Sequence, residues 1–90
     1  MKVIHTKTKE QFATLLHIFE ELGFKWNNGD RPMSNVQLWN NYGESTVLSF
    51  EPRFGYSCVF DAKRDGYQVI SFNFFIKTLN NEQNSQKETR

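Results

Sequence analysis

Apolar positions along this chain switch period several times, and the switches predict its elements. Lys2 to His5 opens as a short strand. Phe12, Leu15, Leu16, Phe19 and Leu22 then repeat at helical spacing and form one apolar stripe, with Glu10, Thr14, His17 and Glu21 on the opposite face. Thr8 and Gln11 have the spacing of a capping box at the start of this helix, with Thr6 as the competing cap. Gly23 stands where a left-handed C-cap is wanted.

Beyond the helix the pattern reads as strands and turns. Phe24-Lys25-Trp26 is expected to begin a strand, and Asn27-Asn28-Gly29-Asp30 with Arg31-Pro32 forms a loop. Val36 to Asn40 reads as a short strand and Asn40 to Gly43 as a turn. Thr46 to Glu51 and Tyr56 to Phe60 read as a β-hairpin joined by Pro52-Arg53-Phe54-Gly55, with Tyr56, Cys58 and Phe60 sharing a face. Asp61 to Gly66 is a polar connector with room for a helical turn, and Tyr67 to Phe72 is the last strand. Asn73 is expected to cap a short helix through Phe74, Phe75, Ile76 and Leu79. Asn80 to Arg90 has no apolar side chain, so it is expected to be a mobile tail after a single domain spanning residues 1–79. This order predicts an α+β fold: one main helix on a mostly antiparallel sheet of about four to five strands, closed by a C-terminal helical turn.

Length and composition narrow the function classes. Ninety residues make one domain with a small core. Nine Phe, three Tyr and two Trp supply more aromatic surface than such a core needs, which leaves some for a ligand, a partner or a second copy of the chain. The net charge is only +1, and the one basic pair, Lys63-Arg64, is flanked by Asp61 and Asp65, so steering toward nucleic acid or an anionic membrane is not expected. A single cysteine, Cys58, allows no intrachain disulfide. The polar start and the lack of a long apolar run fit a cytoplasmic protein without a membrane span.

Catalytic and metal signatures are not evident. His17 stands four residues before Glu21 and reads as an exposed helical pair, while His5 ends a strand where one hydrogen bond would satisfy it. Cys58 lies among strand residues and reads as packing rather than as a nucleophile. No zinc-ligand spacing, nucleophile elbow or glycine-rich phosphate loop occurs, so neither cofactor nor metal is expected. The expectation is a protein that is not an enzyme.

Binding candidates are more numerous. Trp26, Trp39 and Tyr42 sit near turns, where they either plug the end of a small core or form a docking surface. For Trp26 the plug is the better reading, and for Trp39 the two stand level. Arg53 and Phe54 form a hairpin tip suited either to reach a partner or simply to meet solvent. Arg31, Arg53 and Arg64 each suit a phosphate, although nothing in the sequence makes them converge. The binding set is therefore Trp39, Tyr42, Arg53, Phe54 and Arg64. Phe72, Phe74, Phe75, Ile76 and Leu79 crowd the end of the domain, so a homodimer or higher oligomer is also expected.

Four segments carry a resemblance. They are Val3-Ile4-His5-Thr6, Leu22-Gly23-Phe24-Lys25-Trp26 with Asn28-Gly29, Trp39 to Tyr42, and Gly66-Tyr67-Gln68-Val69-Ile70-Ser71-Phe72. In these the chain resembles small accessory proteins encoded by bacteriophages and prophages of Gram-positive bacteria. The resemblance implies a binding protein that inhibits a host defence protein or sequesters a small nucleotide-like ligand, and it brings no catalytic residues. A nucleic-acid-associated protein that stacks bases on aromatic rings, or a small virion component, is the alternative.

Overall fold

A computed structural model describes residues 1–51 and 53–88. Pro52, the first residue of the expected hairpin turn, lies outside the described residues, as do residues 89 and 90 at the end of the expected tail. The elements run β1 (Lys2–His5), α1 (Lys9–Glu21), two 3-10 segments (Pro32–Asn41 and Gly43–Ser45), β2 (Thr46–Ser49), β3 (Gly55–Cys58), α2 (Val59–Arg64), β4 (Gln68–Ser71) and α3 (Phe72–Glu88).

The four strands form one sheet in the order β3-β2-β1-β4. β1 pairs antiparallel with β2, β2 antiparallel with β3, and β1 parallel with β4. The expected α+β class and mostly antiparallel sheet are what the structure shows. Register places Ile4 beside both Leu48 and Ile70, and Leu48 beside Tyr56. These side chains face α1, whose Phe12, Leu15, Leu16 and Phe19 are buried against them. Complete burial of such a side chain contributes roughly 1.5–3 kcal/mol, so this layer holds most of the stability. Val3, Val47 and Val69 alternate to the other face and meet Val59 and Ala62 of α2 together with Tyr67.

Helix α1 begins and ends as its sequence dictates. The Thr8 hydroxyl accepts from the Gln11 amide at 3.1 Å, and the Gln11 carboxamide accepts in return from the Lys7 amide rather than from Thr8 itself. Thr6 is not the cap. It is buried, and its hydroxyl donates to the Thr46 carbonyl. At the far end Gly23 has φ +91°, Phe24 N–H bonds to Phe19 O, and Gly23 N–H bonds to Glu20 O. This is a Schellman motif, and it turns the Phe24 ring back onto Phe19 at 5.0 Å. Leu22, expected in the buried stripe, lies at the cap and is 62% exposed because the turn brings Phe24 to the core in its place.

The structure corrects several expectations between and after these elements. Phe24–Trp26 is not a strand, since Trp26 N–H closes the following loop onto Asp30 O. The expected strand Val36–Asn40 lies inside the 3-10 segment Pro32–Asn41. Pro32 at its start favours a helical turn, and three residues per turn puts Val36 and Trp39 on one side, where both pack on the core. The return strand stops at Cys58, because Val59 and Ala62 bury at helical spacing and carry Phe60 outward. Ser71, not Asn73, caps α3, its hydroxyl accepting from Phe74 N–H at 3.0 Å. Helix α3 also runs to Glu88, well past the expected short turn. Its packed first turns remove the cost of nucleation, and the following Gln, Glu and Lys residues tolerate helix without an intervening Gly or Pro. No helix among the described residues is long and apolar enough to cross a membrane.

Candidate functional site

The expected binding residues do not converge. Trp39 is half-buried against the core, and its indole N–H donates to Thr6 O at 3.1 Å, so it serves as a plug. Phe54 is only 5% exposed and packs on Phe19, Phe24 and Trp26, which removes it from the hairpin surface. Phe54 points inward because it stands two residues before Tyr56 and shares its α1-facing side. Arg53 is exposed and lines a separate shallow depression with Ser49, Glu51 and Tyr67. Arg64 is held on α2 by Asp61 and Asp65 at 3.3 and 3.5 Å. Tyr42 alone keeps an open aromatic face, at 44% exposure, and its ring lies 5.8 Å from that of Tyr56.

Tyr56 leads to a concavity lined by aromatic rings. A cleft of about 450 Å³, open to solvent, is lined by Trp26, Asn27, Asn28, Asn35, Leu38, Phe54, Gly55 and Tyr56. That volume falls within the range of small-molecule sites. The Trp26 and Tyr56 rings stand 6.2 Å apart at 86° to one another, so they form two walls of a corner. Phe54 supports the Trp26 wall from inside at 4.6 Å. Trp26 is fixed further by its indole N–H, which donates to Pro32 O at 3.2 Å. β3 supplies Gly55 and Tyr56 from the sheet edge, the 26–30 loop supplies Trp26, Asn27 and Asn28, and the 3-10 segment supplies Asn35 and Leu38.

The polar groups of the cleft are amides and one phenol. Asn28 is committed to the loop: its carboxamide donates to the Asp30 carboxylate and accepts from the Asp30 amide, both at 3.0 Å. Asn35 is held weakly, at 3.4 Å to Ser34 Oγ and 3.5 Å from Gln37 Nε2. The Tyr56 hydroxyl accepts from Asn41 Nδ2 at 3.0 Å and keeps its own proton to donate. Asn27 makes no side-chain hydrogen bond among the described residues and is exposed at the rim. None of the lining residues is Lys, Arg, His, Asp or Glu. Among the described residues no three His, Cys, Asp or Glu side chains gather as a metal site requires.

Most of this site is absent from the sequence-based set. For Trp26 the sequence favoured the plug over a docking surface; in the structure it packs on the core and also lines the cleft. The available signal was the Trp26-Asn27-Asn28-Gly29 run, in which a turn places amides directly beside a large ring. No protein-family model, curated protein or solved structure matches this chain.

Proposed function

We propose that this protein is a non-catalytic binding module whose working surface is the Trp26–Tyr56 cleft. The observation that carries this reading is the right-angled pair of half-buried aromatic rings opening onto solvent, with uncharged amides around them. The Trp26 ring, fixed from behind by Phe54 and by the Pro32 carbonyl, loses little freedom on binding, which favours affinity. The resemblance to phage and prophage accessory proteins supports a role in the cytoplasm of an infected host. There the module would inhibit a defence protein or sequester a nucleotide-like ligand.

The test is native mass spectrometry of the wild-type protein and the Asn27→Arg variant, each recovered gently from bacterial lysate. Asn27 is exposed and unbonded, so the variant blocks the cleft without disturbing the core. Added mass on the wild type that is missing from the variant supports the proposal. The same added mass on both proteins, or none on either, rejects it.

A further inference from the structure

Resting on the cleft as the binding site, we infer that its occupant is a nucleobase, held by its face and edge, and that any attached phosphate adds nothing to affinity. Three features of the cleft lead there.

The first is shape. A flat ring stacked on Trp26 or Tyr56 presents its edge to the other ring, because the two stand at 86°. Offset stacking and edge-to-face contact are the two arrangements aromatic rings prefer, and the corner offers both at once.

The second is the hydrogen-bonding inventory. The free Asn27 carboxamide presents a donor beside an acceptor, the pattern that pairs with a base edge carrying the complementary two. Tyr56 adds one hydroxyl donor. Asn35, held only at 3.4 and 3.5 Å, can exchange its partners for a ligand.

The third is charge. With no Lys or Arg in the lining, a phosphate inside the cleft would lose water without gaining an ion pair, so it stays in solvent. With no Asp or Glu in the lining, a cationic ligand gains only what the ring faces offer it.

The experiment is a titration followed by proton–nitrogen correlation spectra, reading the Trp26 indole and Asn27 carboxamide signals. The probes are adenosine, guanosine, cytidine and uridine, the matching monophosphates, a methyl glycoside and a short oligothymidine. At least one nucleoside should move both signals, its monophosphate should bind equally well, and neither affinity should change from about 50 mM to about 200 mM salt. Asn27→Ala should weaken that nucleoside about tenfold or more, the loss of the paired donor and acceptor contacts. Tighter binding of the monophosphate, or steep salt dependence with the oligothymidine, would show phosphate recognition and overturn the inference. A shift with the glycoside alone would also overturn it. If no nucleoside binds while Asn27→Arg still loses its lysate-derived mass, the base assignment fails and the cleft stands as the binding site.

Discussion

The indole N–H of Trp39 donates to the backbone carbonyl of Thr6 across 33 residues of sequence, at 3.1 Å. That bond ties the 3-10 segment to the end of β1. Around it, the Thr6 amide and hydroxyl both donate to Thr46 O, at 2.9 and 3.0 Å. The Thr46 hydroxyl reaches Gly43 O at 2.8 Å and Trp39 O at 3.3 Å. Thr6 and Thr46 are the buried polar residues of the core, and no buried side-chain polar atom among the described residues lacks a partner. The network is therefore a satisfied seam that locks a segment lacking regular long-range pairing onto the sheet.

The members of this seam should not cost the same. The Thr46 carbonyl keeps the Thr6 amide when the Thr6 hydroxyl is removed, so Thr6→Val should cost less than about 1 kcal/mol. Trp39→Phe takes away the indole donor to Thr6 O and also leaves unfilled space. Its expected cost is about 1–3 kcal/mol from the unpaired carbonyl alone. Urea unfolding of the two variants should rank them in that order, and the reverse order would show that the indole bond is not what holds the segment.

Gly23 and Gly66 end α1 and α2 in the same way. Gly66 has φ +86°, Tyr67 N–H bonds to Ala62 O, and Gly66 N–H bonds to Lys63 O, so α2 also closes in a Schellman motif. The motif brings Tyr67 onto Ala62 as the first brings Phe24 onto Phe19. A Cβ at either glycine meets no atom within 4 Å, so a substitution there acts through the backbone and not through a clash. Gly23→Ala and Gly66→Ala should each cost about 1–2 kcal/mol, and Gly→Asn at either site should cost less. Thermal unfolding of the four variants measures both the size and the ordering.

Arg64 tests whether a visible ion pair matters. Its guanidinium meets Asp61 and Asp65 with 61% of the side chain exposed. Solvent screening leaves such pairs worth little, so Arg64→Ala should change stability by no more than about 0.5 kcal/mol, and added salt should erase the difference. A larger loss that persists in high salt would mean that the stem of Arg64, rather than its charge, is packed.

The parts of the fold legible in the sequence are those where one signal repeats or two agree. α1 has a stripe, a cap and a C-terminal glycine that all mark the same bounds. Strands β1, β2 and β4 stand where β-branched residues lie between turn signals. The region from Phe24 to Ser45 is different. Val36, Leu38 and Asn40 look like alternation, yet Trp39 packs on the core beside Val36 and Leu38 while Asn40 is exposed, as the Pro32–Asn41 3-10 segment allows. Period two and period three are nearly indistinguishable over so short a run. The cleft was hidden for a related reason. Its walls come from the 26–30 loop, the 3-10 segment and β3, and the angle between Trp26 and Tyr56 is set by long-range packing that no local pattern encodes.

Phe54 and Phe60 give the sharpest contrast between sequence position and physical role. Both flank the short strand β3, and either could pass for an exposed ring on a small domain. Phe54 is 5% exposed and touches Phe19, Phe24 and Trp26, whereas Phe60 is 72% exposed on α2. Removing a buried Phe ring typically costs about 3–5 kcal/mol, because lost transfer energy and a residual cavity add together. A 90-residue domain has little more than that to lose, so Phe54→Ala should abolish cooperative unfolding at room temperature. Phe54→Leu, which keeps much of the volume, should remain folded and show a lowered melting temperature. Phe60→Ala should lie within about 0.5 kcal/mol of the wild type, as surface changes do. Phe54 also backs the Trp26 wall, so Phe54→Leu should shift the Trp26 indole resonance while Phe60→Ala leaves it in place. An unmoved Trp26 signal in Phe54→Leu would separate the cleft from the core and show that Phe54 does not hold the Trp26 wall in place.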